Sequence, residues 1–465
     1  MSASGEQIEP VGLIAAWRSK LLVYFAEGGI ARTLARGAVW SIAINVGGYA
    51  LALVVQVVLT RSLGQVQYGN YAYALACMNT ALLFGKLELD TSALRFVGMY
   101  DGARNWSLLS GFLARAHQLV RLTSFGVAAI AALFIWLFAG RLTPVVAASL
   151  WAACALLPVT ALVEFKARCV QAFKRVAESL VPSLLLRPLL FGTGVVLATF
   201  VFHVELTAPA AISLNLCAAI VAFLIISRYL RAAIPAEART AVPSYEAKQW
   251  MHTAAGLLVI AAAQLVLGTQ MDVVVIGSML GPAPAGLYQV ASQLASIITF
   301  GITALIYLAL AMISDLHARG HRAELQHLVT ILSLASLVIA LGAVAVLAIA
   351  GTTILGLFGP TFRSAYTVLL VLSSASFMSA TVGILAGFLL SLTGHQRQAA
   401  IVVVGSAILN LTLSLIATHT FGAIGTASAT AATTLLRSAL LAFYCWKLLG
   451  IRIMPFGVRV AASTT

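Results

Sequence analysis

Two arginines lie inside apolar segments long enough to cross a membrane, where a cation has a restricted set of uses. Arg187 lies about seven residues past the predicted start of a span at Leu180, a depth of roughly 10 Å. Arg437 lies about ten residues before the end of the last predicted span, at roughly 15 Å. A charge near the bilayer centre costs about 2.5 to 3.5 kcal/mol. A guanidinium group matches phosphate geometry, so both arginines are predicted to line an anion-binding cavity. The alternatives are an ion pair for Arg187 and helix packing around Arg437.

Four charged residues follow one another at the end of the second predicted span. Helical spacing places Lys86 and Asp90 on one side and Glu88 and Arg95 on the other, which predicts two charge pairs. The cluster lies near the membrane interface, so contact with an anionic substrate and a role in locking helices together both stay open.

A single carboxylate, Asp272, lies within the seventh predicted span. If a cation gradient drives the protein, this residue is the candidate for coupling, and a structural contact with a neighbouring helix is the alternative. Polar residues inside other spans are expected to form hydrogen bonds between helices. These residues are Asn45, Gln56, Asn215 and Asn410.

The composition is that of an integral membrane protein. Of the 465 residues, 61% are apolar and 9% are charged, compared with about 25% charged residues in a soluble domain. The net charge of +14 does not predict nucleic-acid binding, because the basic residues are spread between apolar segments. No P-loop, nucleophile arrangement or cysteine pair at metal-ligand spacing is present, so no cofactor is expected.

Hydropathy predicts an all-α protein of about twelve spans, each near twenty residues long. The predicted spans are Gly37 to Thr60, Tyr68 to Glu88, Leu119 to Gly140, Thr143 to Val163, Leu180 to Phe202, Ala208 to Ile226, Thr253 to Leu280, Leu287 to Met312, Leu328 to Ile349, Ala365 to Leu392, Ala399 to Thr418 and Phe421 to Trp446.

Loop charges give an independent test of that count. Alternate loops hold 22 of the 28 basic residues, and the opposite set holds three, which predicts that both termini are cytoplasmic. The predicted parts are a cytoplasmic segment with an interfacial helix (1–36), an N-lobe (37–230), a cytoplasmic linker (231–250), a C-lobe (251–446) and a cytoplasmic tail (447–465).

A short motif, LGxxxxGxYxxA, occurs after the first span of each half. Its first copy begins at Leu63 and its second at Leu280, 217 positions later. Because each half holds six spans, the two copies have the same orientation, which predicts lobes related by an axis along the membrane normal.

Three stretches carry a family resemblance that extends over nearly the whole chain. They are RSLGQVQYGNYAYALACMNTALLFGKLELDTSALRF (61–96), TQMDVVVIGSMLGPAPAGLYQVASQLA (269–295), and GFLLSLTGHQRQ (387–398) followed by FGAIGTASAT (421–430). Together they resemble the O-antigen and exopolysaccharide flippases of the multidrug/oligosaccharidyl-lipid/polysaccharide exporter superfamily.

The resemblance implies two six-helix lobes, alternating access, and translocation of a polyprenyl-pyrophosphate-linked oligosaccharide across the bacterial inner membrane. It implies that the pyrophosphate contacts Arg187, with Arg437, Lys86 and Arg95 as further candidates. Partners implied by the family are membrane lipids, glycosyltransferases and a polysaccharide polymerase. One alternative is a multidrug extruder, whose site would favour acidic and aromatic residues. The other is a membrane polymerase, which needs a larger external loop than the predicted loop from Ala350 to Ser364.

Overall fold

The computed structural model describes residues 29–453, with side chains from residue 43 onward except at 304, 305, 307, 308 and 311. The predicted interfacial helix (11–25) and the tail from residue 454 lie outside this part of the chain. Within it every regular element is helical, which confirms the predicted all-α membrane fold. The elements are α1 (Gly29–Lys86), α2 (Leu89–Gly102), α3 (Trp106–Leu137), α4 (Pro144–Ala172), α5 (Val176–Val201), α6 (Ala208–Ala233), α7 (Ala236–Thr240), α8 (Ala247–Val266), α9 (Thr269–Met279), α10 (Pro282–Ala318), α11 (Arg322–Phe358), α12 (Pro360–Leu392) and α13 (Gln396–Leu449).

Two of these helices fold back on themselves. In α1 the backbone of Gly64 is left-handed, with φ 69°, and in α13 Gly422 has φ 63°. Gln56 and Tyr68 are twelve residues apart, about 18 Å along a straight helix, yet their side chains hydrogen-bond at 2.7 Å. Ten helices of the described residues are long and apolar enough to span a membrane. Because α1 and α13 each consist of two helices joined at a glycine, the described residues contain twelve membrane-spanning segments.

The two copies of the sequence motif adopt the same turn and touch each other. Gly281 has φ 94° and ψ 171°, close to the φ 69° and ψ 174° of Gly64. A Cβ atom on Gly69 would lie 2.2 Å from the Pro282 carbonyl oxygen, and one on Gly286 would lie 2.8 Å from the Cα of Gly69. Only glycine allows the two backbones to approach this closely. This end of the bundle, where the turns of Gly64, Gly281 and Gly422 lie, is called the Gly64 end.

The opposite end, called the linker end, carries the segment 234–250 between the halves. Ser244 N donates a hydrogen bond to Ser107 O at 3.0 Å, so the linker lies against α3. Trp250, at the start of α8, packs edge-on against Phe112 and donates its indole N–H to the Tyr100 hydroxyl at 3.0 Å. The first turn of the second half is therefore anchored to the first half.

Several predicted boundaries are wrong because a helix continued beyond its apolar core. The predicted loop from Ala350 to Ser364 is helical up to Phe358, and a single residue, Gly359, separates α11 from α12. The predicted seventh span breaks at Gly268 into α8 and α9. Membrane helices extend past the hydrocarbon core, so hydropathy marks their apolar part and not their ends. The lobe boundaries and the repeat remain predictions.

Candidate functional site

A cavity of about 330 Å³ lies among α1, α5, α6, α9 and α10, and it is called the Arg187 cavity. Its lining reaches from Leu59, near the Gly64 end, to Arg187 and Asn79 near mid-membrane. Arg187 follows a π-helical segment, Pro182–Leu186, that starts at a proline. A proline removes a backbone hydrogen bond, and a π segment adds a residue to the helical turn. Arg187 therefore points in a different direction from the one it would have in a regular α-helix.

The hydrogen-bond partner of Arg187 among the described residues is a neutral amide. Its Nε atom donates to Asn215 Oδ1 at 3.0 Å, and the Tyr71 hydroxyl interacts with the same amide. The predicted alternative, an ion pair with an acid on another helix, does not form in the described structure. The guanidinium charge is thus held in place by an amide that does not neutralise it.

The remaining lining is rich in amide and aromatic side chains. Gln56 bonds the Tyr68 hydroxyl at 2.7 Å, and Asn79 donates to Gln270 at 3.3 Å. Ser183 Oγ and Gln289 Oε1 are buried and have no hydrogen-bond partner within the part of the chain that the structure describes. Amides, hydroxyls and ring faces are groups that hydrogen-bond or stack on a polar, hydroxylated ligand. This cavity therefore combines one unneutralised cation with hydrogen-bonding capacity for a neutral polar group.

Arg437 lies in a second cavity, of about 360 Å³, formed by α8, α12 and α13 and called the Arg437 cavity. Neither cavity includes Lys86 or Arg95 in its lining. The structure therefore places the two predicted intramembrane arginines in separate cavities and the two interfacial cations outside both.

Lys86 is tied into an acidic cluster at the linker end. Its Nζ atom lies 2.9 Å from Asp90 Oδ2 and 2.9 Å from Glu164 Oε2. The predicted Lys86–Asp90 pair forms, and Glu164 on α4 is a partner that the sequence analysis missed. Because Lys86 is shared between two carboxylates, its charge is compensated and it locks α1 to α2 and α4.

The second predicted pair, between Glu88 and Arg95, is wrong. Leu87 and Glu88 both have left-handed backbones, with φ 52° and 55°, so the helix ends between Lys86 and Leu89. Glu88 accepts a hydrogen bond from Thr91 at 2.6 Å, and exposed Arg95 lies over the neighbouring Phe96 ring. Glu88 itself lies at this break with a left-handed backbone, so helical spacing does not relate its side chain to that of Arg95.

Asp272 lies fully enclosed in the second half and outside both cavities. Its Oδ2 atom accepts hydrogen bonds from Tyr288 at 2.6 Å and Thr430 at 3.1 Å, and Asn410 also interacts with the carboxyl group. The contact joins α9, α10 and α13, as the structural alternative predicted. Among the described residues no cationic side chain pairs with Asp272.

Sequence comparison places this geometry in a family. A family model described as polysaccharide biosynthesis protein matches residues 34–317, which is more than half of the chain. The chain belongs to this family. No curated protein matches the sequence.

Solved structures agree with this fold. An inward-facing multidrug resistance MATE family transporter of the MOP superfamily superposes with a TM-score of 0.71 at 12% identity, covering 89% of this chain and 98% of that one. The lipid II flippase MurJ in an inward closed conformation gives 0.67 at 16% identity, covering 87% of each chain. An outward-facing MATE family transporter gives 0.59 at 13% identity, covering 92% and 98%. At these identities the likeness shows that this chain shares the fold of the three structures.

Proposed function

We propose that this protein is a flippase that moves a polyprenyl-pyrophosphate-linked oligosaccharide across the bacterial cytoplasmic membrane by alternating access. The observation that carries the proposal is Arg187, a mid-membrane cation held by neutral partners in a cavity lined by amides and tyrosines. The family description and the MOP-superfamily fold support the class of transporter. The pyrophosphate binds the guanidinium fork, and the sugars meet the amide and aromatic lining.

The alternative of a multidrug extruder is less well supported by the cavity. An extruder of cationic solutes needs an acidic residue at its binding site, and no Asp or Glu lines the Arg187 cavity or the Arg437 cavity. The only fully enclosed carboxylate of the second half that we describe, Asp272, has its Oδ2 oxygen occupied by two hydroxyl groups.

The proposed orientation places the linker end in the cytoplasm, and the partners are the glycosyltransferases and the polymerase of the same polysaccharide. Two exposed positions test the orientation: Val66 at the Gly64 end is 61% exposed, and Tyr245 in the linker is 59% exposed. In a background without native cysteines, Val66→Cys reacts with an impermeant thiol reagent added to whole spheroplasts, and Tyr245→Cys reacts only after lysis. The reverse pattern contradicts the orientation.

Lipid flipping in proteoliposomes tests the function. Wild-type protein is expected to expose the sugars of a polyprenyl-pyrophosphate oligosaccharide to an impermeant glycan probe. Arg187→Gln is expected to reduce the rate about tenfold or more, because a charge-assisted pair to the pyrophosphate is lost. Arg187→Lys keeps the positive charge but loses the planar two-pronged geometry of the guanidinium group. Its flipping rate is expected to lie between those of wild type and Arg187→Gln. If wild type moves small organic cations and no glycolipid, the extruder replaces the flippase.

Asp272 is proposed as the coupling residue if an ion gradient drives the cycle. A carboxyl group among hydroxyl and amide groups, without a cationic partner, can take up a proton or a monovalent cation from a gradient. Asp272→Asn is expected to flip the lipid without acceleration by a proton or sodium gradient, whereas wild type is accelerated. Equal acceleration of both proteins would leave Asp272 with its structural role alone.

A further inference from the structure

A group of basic side chains at the linker end lies outside both cavities and is called the Lys166 cluster. It consists of His117 and Arg121 on α3, Lys166 on α4, Arg231 on α6 and Arg239 on α7. His117 interacts electrostatically with Lys166 and Arg121, and Lys166 interacts in the same way with Arg231. The Arg239 guanidinium group donates a hydrogen bond to the Arg231 carbonyl oxygen. Four helices therefore bring basic groups to one place.

Lys166 is held in position by neutral groups of α6. Its Nζ atom donates to Ser227 Oγ at 2.8 Å and lies 4.1 Å from the centre of the Phe223 ring. An ammonium group has three N–H donors, and within the described residues Ser227 is the one group that accepts a hydrogen bond from it. The charge of Lys166 is therefore oriented but not neutralised, in contrast to that of Lys86 between its two carboxylates.

Acidic residues do not compensate the Lys166 cluster. In the part of the chain that the structure describes, no basic side chain of the cluster forms an ion pair with an Asp or Glu residue. Glu164 lies two residues from Lys166 on α4, about 200° around the helix, and pairs with Lys86 instead. Like charges gathered in this way repel one another unless an anion lies beside them. The compensating anion must therefore come from outside the described residues.

The cluster lies at the depth of the lipid phosphates. His117 precedes the third predicted span by two residues, Lys166 follows the fourth by three, and Arg231 follows the sixth by five. At 1.5 Å per residue, all three lie within about 8 Å of the boundary of the hydrocarbon core. The headgroup layer of a bilayer begins at this boundary and is about 5 to 8 Å thick. The basic groups are therefore level with the phosphates of one leaflet.

Apolar surface continues from the cluster toward mid-membrane. Both α3 and α6 pack against α4. Exposed Phe125 lies one turn from Arg121 on the same face of α3, and exposed Leu224 lies two turns from Arg231 on the same face of α6. Both apolar residues are on the membrane side of the bases. This order of groups, bases first and exposed apolar side chains next, matches the order of headgroup and acyl chains in a phospholipid.

We propose that the Lys166 cluster binds the phosphate of an anionic phospholipid in the leaflet at the linker end. Lys166 and Arg231 contact the phosphate oxygens, and the acyl chains lie along Phe125 and Leu224. The site is separate from both cavities, so the inference does not depend on the proposed function. It adds a bound membrane lipid that links α3, α4 and α6 of the first half.

Native mass spectrometry of the detergent-purified protein tests the site, with phosphatidylglycerol as the probe. Wild type is expected to bind one lipid molecule more tightly than any later one. Lys166→Gln is expected to weaken this first binding about tenfold, because a charge-assisted hydrogen bond is lost. Arg231→Gln, at an exposed position, is expected to give a smaller loss.

Arg168→Gln is the matched control on the same helix. It removes one positive charge two residues from Lys166, at an exposed guanidinium group that donates to Gln171. It is expected to bind phosphatidylglycerol within about twofold of wild type. An equal loss in Arg168→Gln and Lys166→Gln would mean that the lipid responds to net charge alone, and it would overturn the site. Wild-type binding by both Lys166→Gln and Arg231→Gln would overturn it as well.

Thermal unfolding and competition complete the test. Phosphatidylglycerol is expected to raise the unfolding temperature of wild type and Arg168→Gln more than that of Lys166→Gln, because a ligand of the native state stabilises it by an amount that grows with affinity. Phosphatidylcholine with the same chains is expected to bind about tenfold more weakly, and equal binding would contradict the role of charge. Displacement of the lipid by inorganic phosphate at equal concentration would indicate a site for soluble anions and would also overturn the proposal.

Discussion

The two ends of the helix bundle join the halves of the chain by different kinds of contact. At the Gly64 end the backbones themselves meet, with Gly69 against Pro282 and Gly286, and Gly277 against the Tyr73 ring. At the linker end the contact runs through the linker, whose Ser244 backbone lies against Gly111 of α3, and through side chains, chiefly Trp250 on Tyr100 and Phe112. Packing of backbone on backbone tolerates almost no added volume, whereas side-chain contacts can adjust individually.

This difference bears on the alternating access proposed above. The Gly64 end is sealed in the described state by the contact of Gly69 with Pro282 and Gly286. To open that end, the glycine contact must separate as a unit. At the linker end the close backbone contact is made by the linker segment against α3, and the second half itself is held by side-chain contacts such as that of Trp250, so this end can open without separating two packed membrane helices.

The largest expected effect comes from filling the glycine contact. In Gly69→Ala the new Cβ atom meets the Pro282 carbonyl oxygen at 2.2 Å, so the halves must move apart. Overpacking of this kind costs about 1 to 3 kcal/mol, and the lipid-flipping rate is expected to fall about tenfold or more. Gly47→Ala is the matched control on the same helix, since a Cβ atom there has nothing within 4 Å. If Gly69→Ala flips lipid at the same rate as Gly47→Ala, the close contact at Gly69 is not needed for the transport cycle.

A smaller effect is expected at the linker end from Tyr100→Phe. The substitution keeps the aromatic ring but leaves the buried Trp250 indole N–H without its acceptor, which costs about 1 to 3 kcal/mol. We expect a lower unfolding temperature and faster hydrogen exchange in residues 244–250, with flipping reduced less than in Gly69→Ala. Tyr245→Phe, at an exposed ring, is the control. Unchanged exchange would mean that the Trp250 contact does not hold the linker.

A pH-dependent effect is expected at Glu88, which lies beyond the end of the span at Lys86. Burial raises the pKa of Glu88 from its usual 4.5, and the Asp90 carboxylate adds to this, while a hydrogen bond from Thr91 opposes it. Folding therefore favours the protonated acid, so ionised Glu88 destabilises the wild type at neutral pH. Glu88→Gln should unfold at a higher temperature than wild type at pH 7. The difference should shrink as the pH falls through the raised pKa and be gone below about 4.5. A constant difference across pH would exclude Glu88 as the titrating group.

The smallest effect on the flipping rate is expected from replacing Arg61, which makes a polar contact between the halves at the Gly64 end. Its Nε atom donates to Leu357 O at 2.7 Å, but the side chain is exposed. Removing an exposed contact typically changes stability by no more than about 0.5 kcal/mol. Arg61→Gln should therefore flip lipid at nearly the wild-type rate. A severalfold lower flipping rate in Arg61→Gln would show that this hydrogen bond, as well as the glycine contact, holds the Gly64 end closed.

The sequence was most informative where one chemical property decides the outcome. The cost of a charge in hydrocarbon marked Arg187 and Arg437, and the structure places each in a cavity. The spacing of Lys86 and Asp90 predicted their ion pair. The motif repeated at Gly64 and Gly281 predicted two equivalent turns, and both glycines adopt left-handed backbones.

The rest depends on which helices become neighbours, and that was not visible in hydropathy. Asn215 was predicted to bond between helices, but its pairing with Arg187 depends on α5 packing against α6. Glu164 was missed because its partner Lys86 lies 78 positions away. The predicted pair of Glu88 with Arg95 does not form because two residues with left-handed backbones, Leu87 and Glu88, end the helix. Neither residue type predicts such a break.

The meeting of Gly69 with Gly286 has a consequence for how this architecture arises. The two glycines occupy the same position in two copies of one motif, so the surface that seals the Gly64 end is complementary to a copy of itself. That is the defining property of an isologous interface in a symmetric dimer. A chain of half this length would carry both sides of the seal and could pair with its twin. Joining two such chains by a linker would then convert a quaternary contact into an internal one, and free the sequences of the two halves to diverge.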